Sequence, residues 1–321
     1  MERAATWVES RVGVPVAGLE SLPGGAGARR YFRVRLRDAR SAVLMHALPE
    51  DPEILPPALR GRDSVAEFVA ATRFLAAAGV PVPEILGVEE SERWILLEDL
   101  GDLRLCDVDA SLRPRWHDEA IDLLARVHAL DPPASEPFGR RFDEAWIGFE
   151  LAHFLDYATP PERRAGLEPM LTALARSIAG LPAVLCLRDY QSQNLLIDAN
   201  ERLRLVDYQD AFRAPRELDL VALVHDSYVE ISDAQRVGLI ERYGARAGAA
   251  PAAASLALLT VQRKCKDLAR YLYMCRVKGD VRYRPYVRAA RRAALQALPG
   301  LPGELRSLSA GLREVLAEER T

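Results

Sequence analysis

The chain has 321 residues, enough for two domains or one two-lobed enzyme, and for a core that needs no disulfide or metal staple. Apolar residues make up 49% and charged residues 28%, with a formal net charge of −3. Those values exclude a disordered or collagen-like chain and any global electrostatic drive toward nucleic acid or an anionic membrane. Lys264, Lys266 and Lys278 are the only lysines among 43 basic residues, which bears on the chemistry below.

The N-terminal stretch MERAATWVESRVGV carries charges throughout and no apolar signal-peptide core. The longest uncharged run, Ala247 to Gln262, contains Pro251 and is shorter than the ~20 apolar residues of a membrane span. A cytoplasmic protein without membrane partners is the expectation. Cys106, Cys186, Cys265 and Cys275 are far apart, with no CxxC pair, so neither a disulfide framework nor a zinc site is indicated.

In chain order, Tyr31–Arg37 alternates Phe32, Val34 and Leu36 with Arg33, Arg35 and Arg37, the period of a half-buried strand. Ala42–Leu48 predicts a second strand. Val65, Phe68, Val69, Thr72, Leu75 and Ala76 mark a helix that Gly79 and Pro81 stop, and Ser64 with Glu67 fits a capping box at its start. A further strand, Arg93–Glu98, leads to Asp99-Leu100-Gly101. Beyond it the pattern turns helical: Arg115–Leu130, Phe142–Tyr157, Glu168–Ala179, Leu218–Val229, Ala234–Tyr243 and Leu256–Tyr273. One hairpin interrupts these helices, Asn194–Ile197 and Arg202–Val206 around Asp198-Ala199-Asn200. The expected architecture is α+β and bilobal: a small sheet lobe with one helix over 1–98, and a larger helical lobe over 99–321, with a hinge near 98–102.

Arg188-Asp189-Tyr190-Gln191-Ser192-Gln193-Asn194 is the most informative stretch. Asp189 precedes Asn194 by five positions, and the hairpin then delivers Asp207. Three oxygen-bearing side chains are thereby expected at one end of a hairpin. Phosphoryl transfer uses such a set: a carboxylate for the acceptor hydroxyl proton, and an Asn and an Asp for Mg²⁺.

RDYQSQN, LVDYQDA and ELDLVALVHDSYV resemble the aminoglycoside-phosphotransferase family, a branch of the protein-kinase-like fold. Within it, the chain is most similar to bacterial sugar kinases acting on the anomeric hydroxyl of N-acetylmuramate and N-acetylglucosamine. RRYFRV, AAGVPVPEILGVE and WILLEDLGDL also fit that group. The resemblance implies ATP at the hinge near Glu98 and Leu100, Mg²⁺ on Asn194 and Asp207, and Asp189 as catalytic base. It also implies that Phe142–Phe154 walls the acceptor pocket, with Glu150 the candidate acceptor-binding residue on it. The acceptor is then a small-molecule hydroxyl, a sugar. A monomer is compatible with the sequence, which leaves the oligomeric state open.

Three positions depart from the family. Leu187 stands where His is usual before the Arg-Asp pair. His46 stands where the sugar-kinase group often has an acid. No Lys precedes Lys264, so the strand Lys of the broader family is missing. Triphosphate charge in a cleft needs a fixed cation, and Arg29 and Arg30 are the candidates. They follow a Gly-rich turn in which Gly25 and Gly27 leave backbone N–H groups free to cradle phosphate. By strand parity Arg30 continues the apolar face, expected to cover the adenine, so Arg30 is favoured over Arg29.

Simpler roles are expected elsewhere. Asp210 reads as a solvated loop acid, Asp219 as a helix cap or a tie for the catalytic-loop backbone, and Glu67 as half of a capping box. His128 reads as a hydrogen-bonded core residue. Arg263–Arg292 is strongly basic, with interleaved tyrosines, and reads as a helical face paired with acids elsewhere rather than a nucleic-acid surface. Two rival functions remain: a kinase of another acceptor (an aminoglycoside, choline or homoserine), or a catalytically weak nucleotide- or RNA-binding protein of the same fold.

Overall fold

A computed structural model describes residues 2–23, 28–50 and 55–317. The candidate phosphate-loop glycines Gly25 and Gly27 lie outside the described residues. Helix α1 (Glu2–Val12) precedes an antiparallel five-stranded sheet of order β1-β2-β3-β5-β4. Its strands are β1 (Val16–Ser21), β2 (Arg29–Leu36), β3 (Ser41–Ala47), β4 (Ile85–Glu89) and β5 (Trp94–Glu98). Helix α2 (Ser64–Ala77) crosses between β3 and β4.

The two faces of this sheet have different covers. Val34, Leu36, Ala42, Leu44 and Leu96 pack on Ala4 and Val8 of α1. Neither α1 nor β1 is evident in the sequence pattern, because both are short and carry charges close to their apolar positions. The opposite face, with Met45, Ala47, Ile95 and Leu97, packs on Val65, Phe68, Ala71 and Leu75 of α2. The same cluster runs on through Ala120, Ile121 and Leu124 to Tyr190, Leu195 and Tyr208, and a second cluster, with Phe142, Trp146, Leu174, Leu268 and Leu312, fills the space between the later helices. Phe68 stacks on Tyr208 at 5.7 Å, and the Tyr208 hydroxyl is 2.9 Å from Thr72 Oγ1.

The cap of α2 is Asp63, whose carboxylate accepts from the Val65 and Ala66 N–H groups. The Ser64–Glu67 capping box is therefore corrected. The helix starts one position too early for it, and Glu67 is buried against Arg140 and Arg62. Gly79, at φ +73, ends the turn after α2, a left-handed position that suits glycine.

After the sheet come α3 (Arg113–His128), α4 (Glu144–Ala158), α5 (Pro161–Ala179), α6 (Glu217–Val224), α7 (Asp233–Ala247), α8 (Ala253–Arg276), α9 (Arg284–Ala297) and α10 (Arg306–Ala317). Helix α5 begins seven residues before the periodicity suggests, with Pro161 in its first turn and Pro169 inside it. Helix α6 stops at Val224, short of the expected Val229, and the chain turns at His225. Between α5 and α6 lie β6 (Val184–Cys186), β7 (Leu195–Ile197), β8 (Leu203–Leu205) and β9 (Phe212–Ala214), paired β6-β9 and β7-β8. Among the described residues, no helix is long and apolar enough to cross a membrane.

Candidate active site

The segment from β6 to β7 is anchored at nearly every residue. The Leu187 N–H donates to Asp219 Oδ2 at 2.6 Å, the Tyr190 hydroxyl to the Ala120 carbonyl at 2.8 Å, and the Ser192 N–H to Asp226 Oδ2 at 2.7 Å. Asp219 sits in the first turn of α6 without capping it, so its cap reading gives way to the backbone tie. Burial, offset in part by bonds from the Ser192 and Tyr228 backbones, pushes the Asp226 carboxyl above its ordinary range. His128 stands behind the loop, 2.7 Å from the Tyr243 hydroxyl and 3.4 Å from Asp219, as a buried core residue.

This anchoring presents Asp189 and Asn194 together. Asn194 Nδ2 donates to the Asp189 carbonyl at 2.8 Å, which fixes the amide and turns its Oδ1 away from that bond. The Val206 N–H donates to the Asn194 carbonyl at 3.0 Å, so the hairpin brings Asp207 alongside. Arg188 and Asp207 both adopt left-handed backbone, at φ +71 and +60. For residues with a β-carbon this costs on the order of 1–3 kcal/mol each and is usual where surrounding structure holds a functional geometry. Asn194 Oδ1 and the half-exposed Asp207 carboxylate are hard oxygen donors, a set that fits Mg²⁺.

Asp189 sits among cations from α8. Arg263 Nη2 lies 2.9 Å and Lys266 Nζ 3.4 Å from its Oδ1. Burial works against its ionisation, but Lys266, Arg263 and Arg188 outweigh it and hold the carboxyl well below the usual range. Arg263 also donates to the Arg188 carbonyl at 2.6 Å and to Gln191 Oε1 at 3.2 Å. Arg263, Lys264 and Lys266, at the start of the basic stretch, are thus turned onto Asp189 and Asp267.

Arg29 and Arg30 part company here. The odd-numbered face of β2 carries both contacts to the far side of the sheet: Arg29 Nη1 is 3.0 Å from Asp207 Oδ1, and Arg33 Nε is 2.8 Å from Asp99 Oδ2, just after β5. Arg30 lies on the other side, exposed, opposite His46 in the β2–β3 register. The parity argument chose the wrong face because α1 covers the apolar side.

Asp210 departs furthest from expectation. Its side chain is only 12% exposed and meets guanidinium groups of Arg62, Arg188 and Arg29. Burial would raise its pKa, but Arg62, Arg188 and Arg29 reverse the sign and lower it. The solvated-acid reading is corrected accordingly. Glu150 is also buried: its carboxylate accepts from Trp146 Nε1 at 3.2 Å and Gln262 Nε2 at 2.8 Å, and pairs with Arg188 at 3.3 Å. With both oxygens so engaged, it holds Arg188 in place instead of facing an acceptor. At the end of β5, the Glu98 carboxylate is bound by Arg204 at 2.5 Å and the Glu98 N–H donates to the Glu84 carbonyl, while the Leu100 side chain is buried.

Arg62, Arg188, Arg263 and Lys266 are the functional neighbours that the sequence pattern misses. A signal exists for the last two, in the basic stretch, but helix periodicity cannot say that its first turn faces a carboxylate 70 residues earlier.

The family described as "Phosphotransferase enzyme family" matches residues 18–259. A Pseudomonas aeruginosa protein named N-acetylmuramate/N-acetylglucosamine kinase is 30% identical over 288 residues, covering 84% of this chain and 80% of its own. Among solved structures, choline kinase from Streptococcus pneumoniae superimposes with a TM-score of 0.65 at 15% identity, over 95% of this chain and 98% of that one. A spectinomycin phosphotransferase in complex with ADP and spectinomycin gives 0.60 at 14% identity, over 97% and 98%. At such identities the solved structures speak for the fold alone.

Proposed function

Because the chain belongs to the phosphotransferase enzyme family, and so transfers phosphate to a hydroxyl of a small molecule, we propose that its reaction is ATP- and Mg²⁺-dependent phosphorylation of the anomeric hydroxyl of an amino sugar such as N-acetylmuramate or N-acetylglucosamine. The observation that carries the chemistry is the grouping of Asp189, Asn194 and Asp207 on one tethered loop and hairpin. The acceptor class rests on the 30% identity, across 84% of this chain, to a kinase named for those sugars.

In this reading Asp189 accepts a hydrogen bond from the acceptor hydroxyl and aims its oxygen at the phosphorus. It takes the proton as the bond to phosphorus forms and the hydroxyl becomes more acidic. Arg263 and Lys266 keep it ionised and oriented. Asn194 Oδ1 and Asp207 would hold Mg²⁺, which screens the phosphate oxygens and orients them for in-line transfer. Arg29 takes the place of the absent strand lysine, with a planar fork suited to phosphate. Arg30 and Glu150 have no part in this assignment.

A panel of N-acetylmuramate, N-acetylglucosamine, aminoglycosides, choline and homoserine, read by ATP consumption, tests the reading. The amino sugars should be turned over fastest, and the product phosphate should show the acid lability of a glycosyl phosphate. Faster turnover of choline or an aminoglycoside would overturn the acceptor. ATP consumption with none of them, together with salt-dependent RNA binding, would favour the binding-protein alternative.

A further inference from the structure

Arg29 carries two roles that conflict. Its guanidinium forks across two carboxylates, with Nη1 3.0 Å from Asp207 Oδ1 and Nη2 3.9 Å from Asp210 Oδ2. The two acids do not depend on it equally. Asp210 keeps Arg62 and Arg188 if Arg29 leaves. Asp207 has, among the described residues, only the neutral Gln209 amide besides, 3.1 Å from the same oxygen. Yet Asp207 is the carboxylate needed for the metal. A divalent ion there and a guanidinium on the same carboxylate repel each other.

We propose that Arg29 and the divalent metal exchange at Asp207. In the nucleotide-free protein Arg29 holds Asp207 and weakens metal binding. When a nucleotide enters, the guanidinium moves to its phosphate and Asp207 is released to the metal. The inference rests on the phosphotransfer reading of Asp207 and Asn194.

The exchange leaves every charge paired before and after. Arg29 leaves a carboxylate oxygen for phosphate oxygens, which match its planar fork. Asp207 loses a guanidinium and gains a hard cation. Asp210, with its remaining arginines, stays compensated and marks where Arg29 starts from. Metal and nucleotide binding are then positively coupled, and the coupling is reciprocal. A lysine from the neighbouring strand, projecting a single point charge, would not span two acids in this way.

Mn²⁺ alone is the probe, followed by loss of its free-ion electron paramagnetic resonance signal, with and without ADP, on the full chain. Wild type should bind Mn²⁺ weakly without nucleotide and more tightly with ADP. Arg29→Gln should bind Mn²⁺ without nucleotide roughly fivefold or more tighter than wild type, and the further gain on adding ADP, after subtracting the Mn²⁺ that ADP holds in protein-free solution, should be smaller than in wild type. Arg29→Lys, which keeps a charge, should stay near wild type, and Arg35→Gln, on an exposed pair with Glu20, should match it. Asp207→Asn added to Arg29→Gln should abolish the gain. Thermal melting establishes that each variant is folded. If folded Arg29→Gln binds Mn²⁺ no tighter than wild type, the exchange is overturned, even where ATP turnover falls, because Arg29 would then be a phosphate contact only. If Asp207→Asn changes Mn²⁺ binding in neither background, the metal assignment fails and the exchange with it. If the gain appears while no acceptor in the panel is phosphorylated, the exchange stands and the catalytic reading falls.

Discussion

Arg263 reaches from the middle of α8 to within 2.9 Å of Asp189, and the same guanidinium holds Asp267 at 3.2 Å. The proposed catalytic carboxylate is therefore set by a helix more than seventy residues further along the chain. Replacing it need not strand that arginine, because Asp267 remains. Asp189→Asn should lower kcat at least ~100-fold, the scale of general-base positioning, and should also lower thermal stability at neutral pH, since the ionised carboxylate is held by Lys266, Arg263 and Arg188. Steady-state kinetics with the amino sugar checks this. Retention of half the wild-type rate would remove Asp189 from the mechanism.

For the metal, Asp207→Ala should abolish Mg²⁺-dependent ATP turnover, whereas Asn194→Ala should raise the Mg²⁺ concentration needed for half-maximal rate. The difference follows from charge: a carboxylate contributes more to a hard divalent ion than a neutral amide does. Mg²⁺ titrations of the two variants decide it, and superimposable curves would rule out the hairpin site.

Phosphate contact separates the two arginines of β2. Losing a charged hydrogen bond costs about 1.5–3 kcal/mol, or roughly 10- to 150-fold, so Arg29→Ala should lower kcat/KM for ATP by that factor. Arg30, exposed on the opposite face, should change it by less than about twofold on conversion to Ala. An equal effect from both would contradict the assignment of faces.

Asp210 supplies a pH signature. Its carboxyl is lowered in the folded protein, despite burial, by Arg62, Arg188 and Arg29. A group with a lowered folded pKa stabilises the fold above its unfolded value of about 3.9, and that stability is lost as pH falls through the lower folded value. Asp210→Asn should therefore be destabilised most at neutral pH, by about 3–5 kcal/mol as for a broken buried pair. The gap to wild type should begin to narrow as pH falls below about 4. Denaturant unfolding at pH 7 and pH 3 measures both, and a gap that widened in acid would refute the ion-pair account.

Much of the fold and of the site could be read from local pattern. Alternation announced β2, periodicity announced α2, α3 and α8, and the spacing from Asp189 through Asn194 to Asp207 announced a hairpin with three oxygen-bearing side chains nearby. What escaped depends on packing between distant segments. The two faces of β2 look different in sequence, but parity alone cannot tell which one α1 will cover. Glu67 follows Ser64 at capping-box spacing, yet the cap is Asp63 and the glutamate is bound by Arg140 from the connection between α3 and α4. Asp210 looks like any loop acid until Arg29, Arg62 and Arg188 arrive from three separate segments. Long, flexible arginine side chains make such encounters hard to foresee, because their reach exceeds the spacing of the elements that carry them.

The stacked pair Phe68 and Tyr208 has a consequence for how the molecule comes apart. Because α2 shares its apolar face with the hairpin segment and α3, sheet and helices should lose structure together, in one cooperative melting transition. Calorimetry should give a single peak. The sheet and α2 expressed by themselves, ending near Glu98, would strip Phe68 of its Tyr208 partner and remove the side of this cluster built from Ala120, Ile121, Leu124 and Leu195, and should collect as insoluble aggregates instead of folding as an autonomous unit.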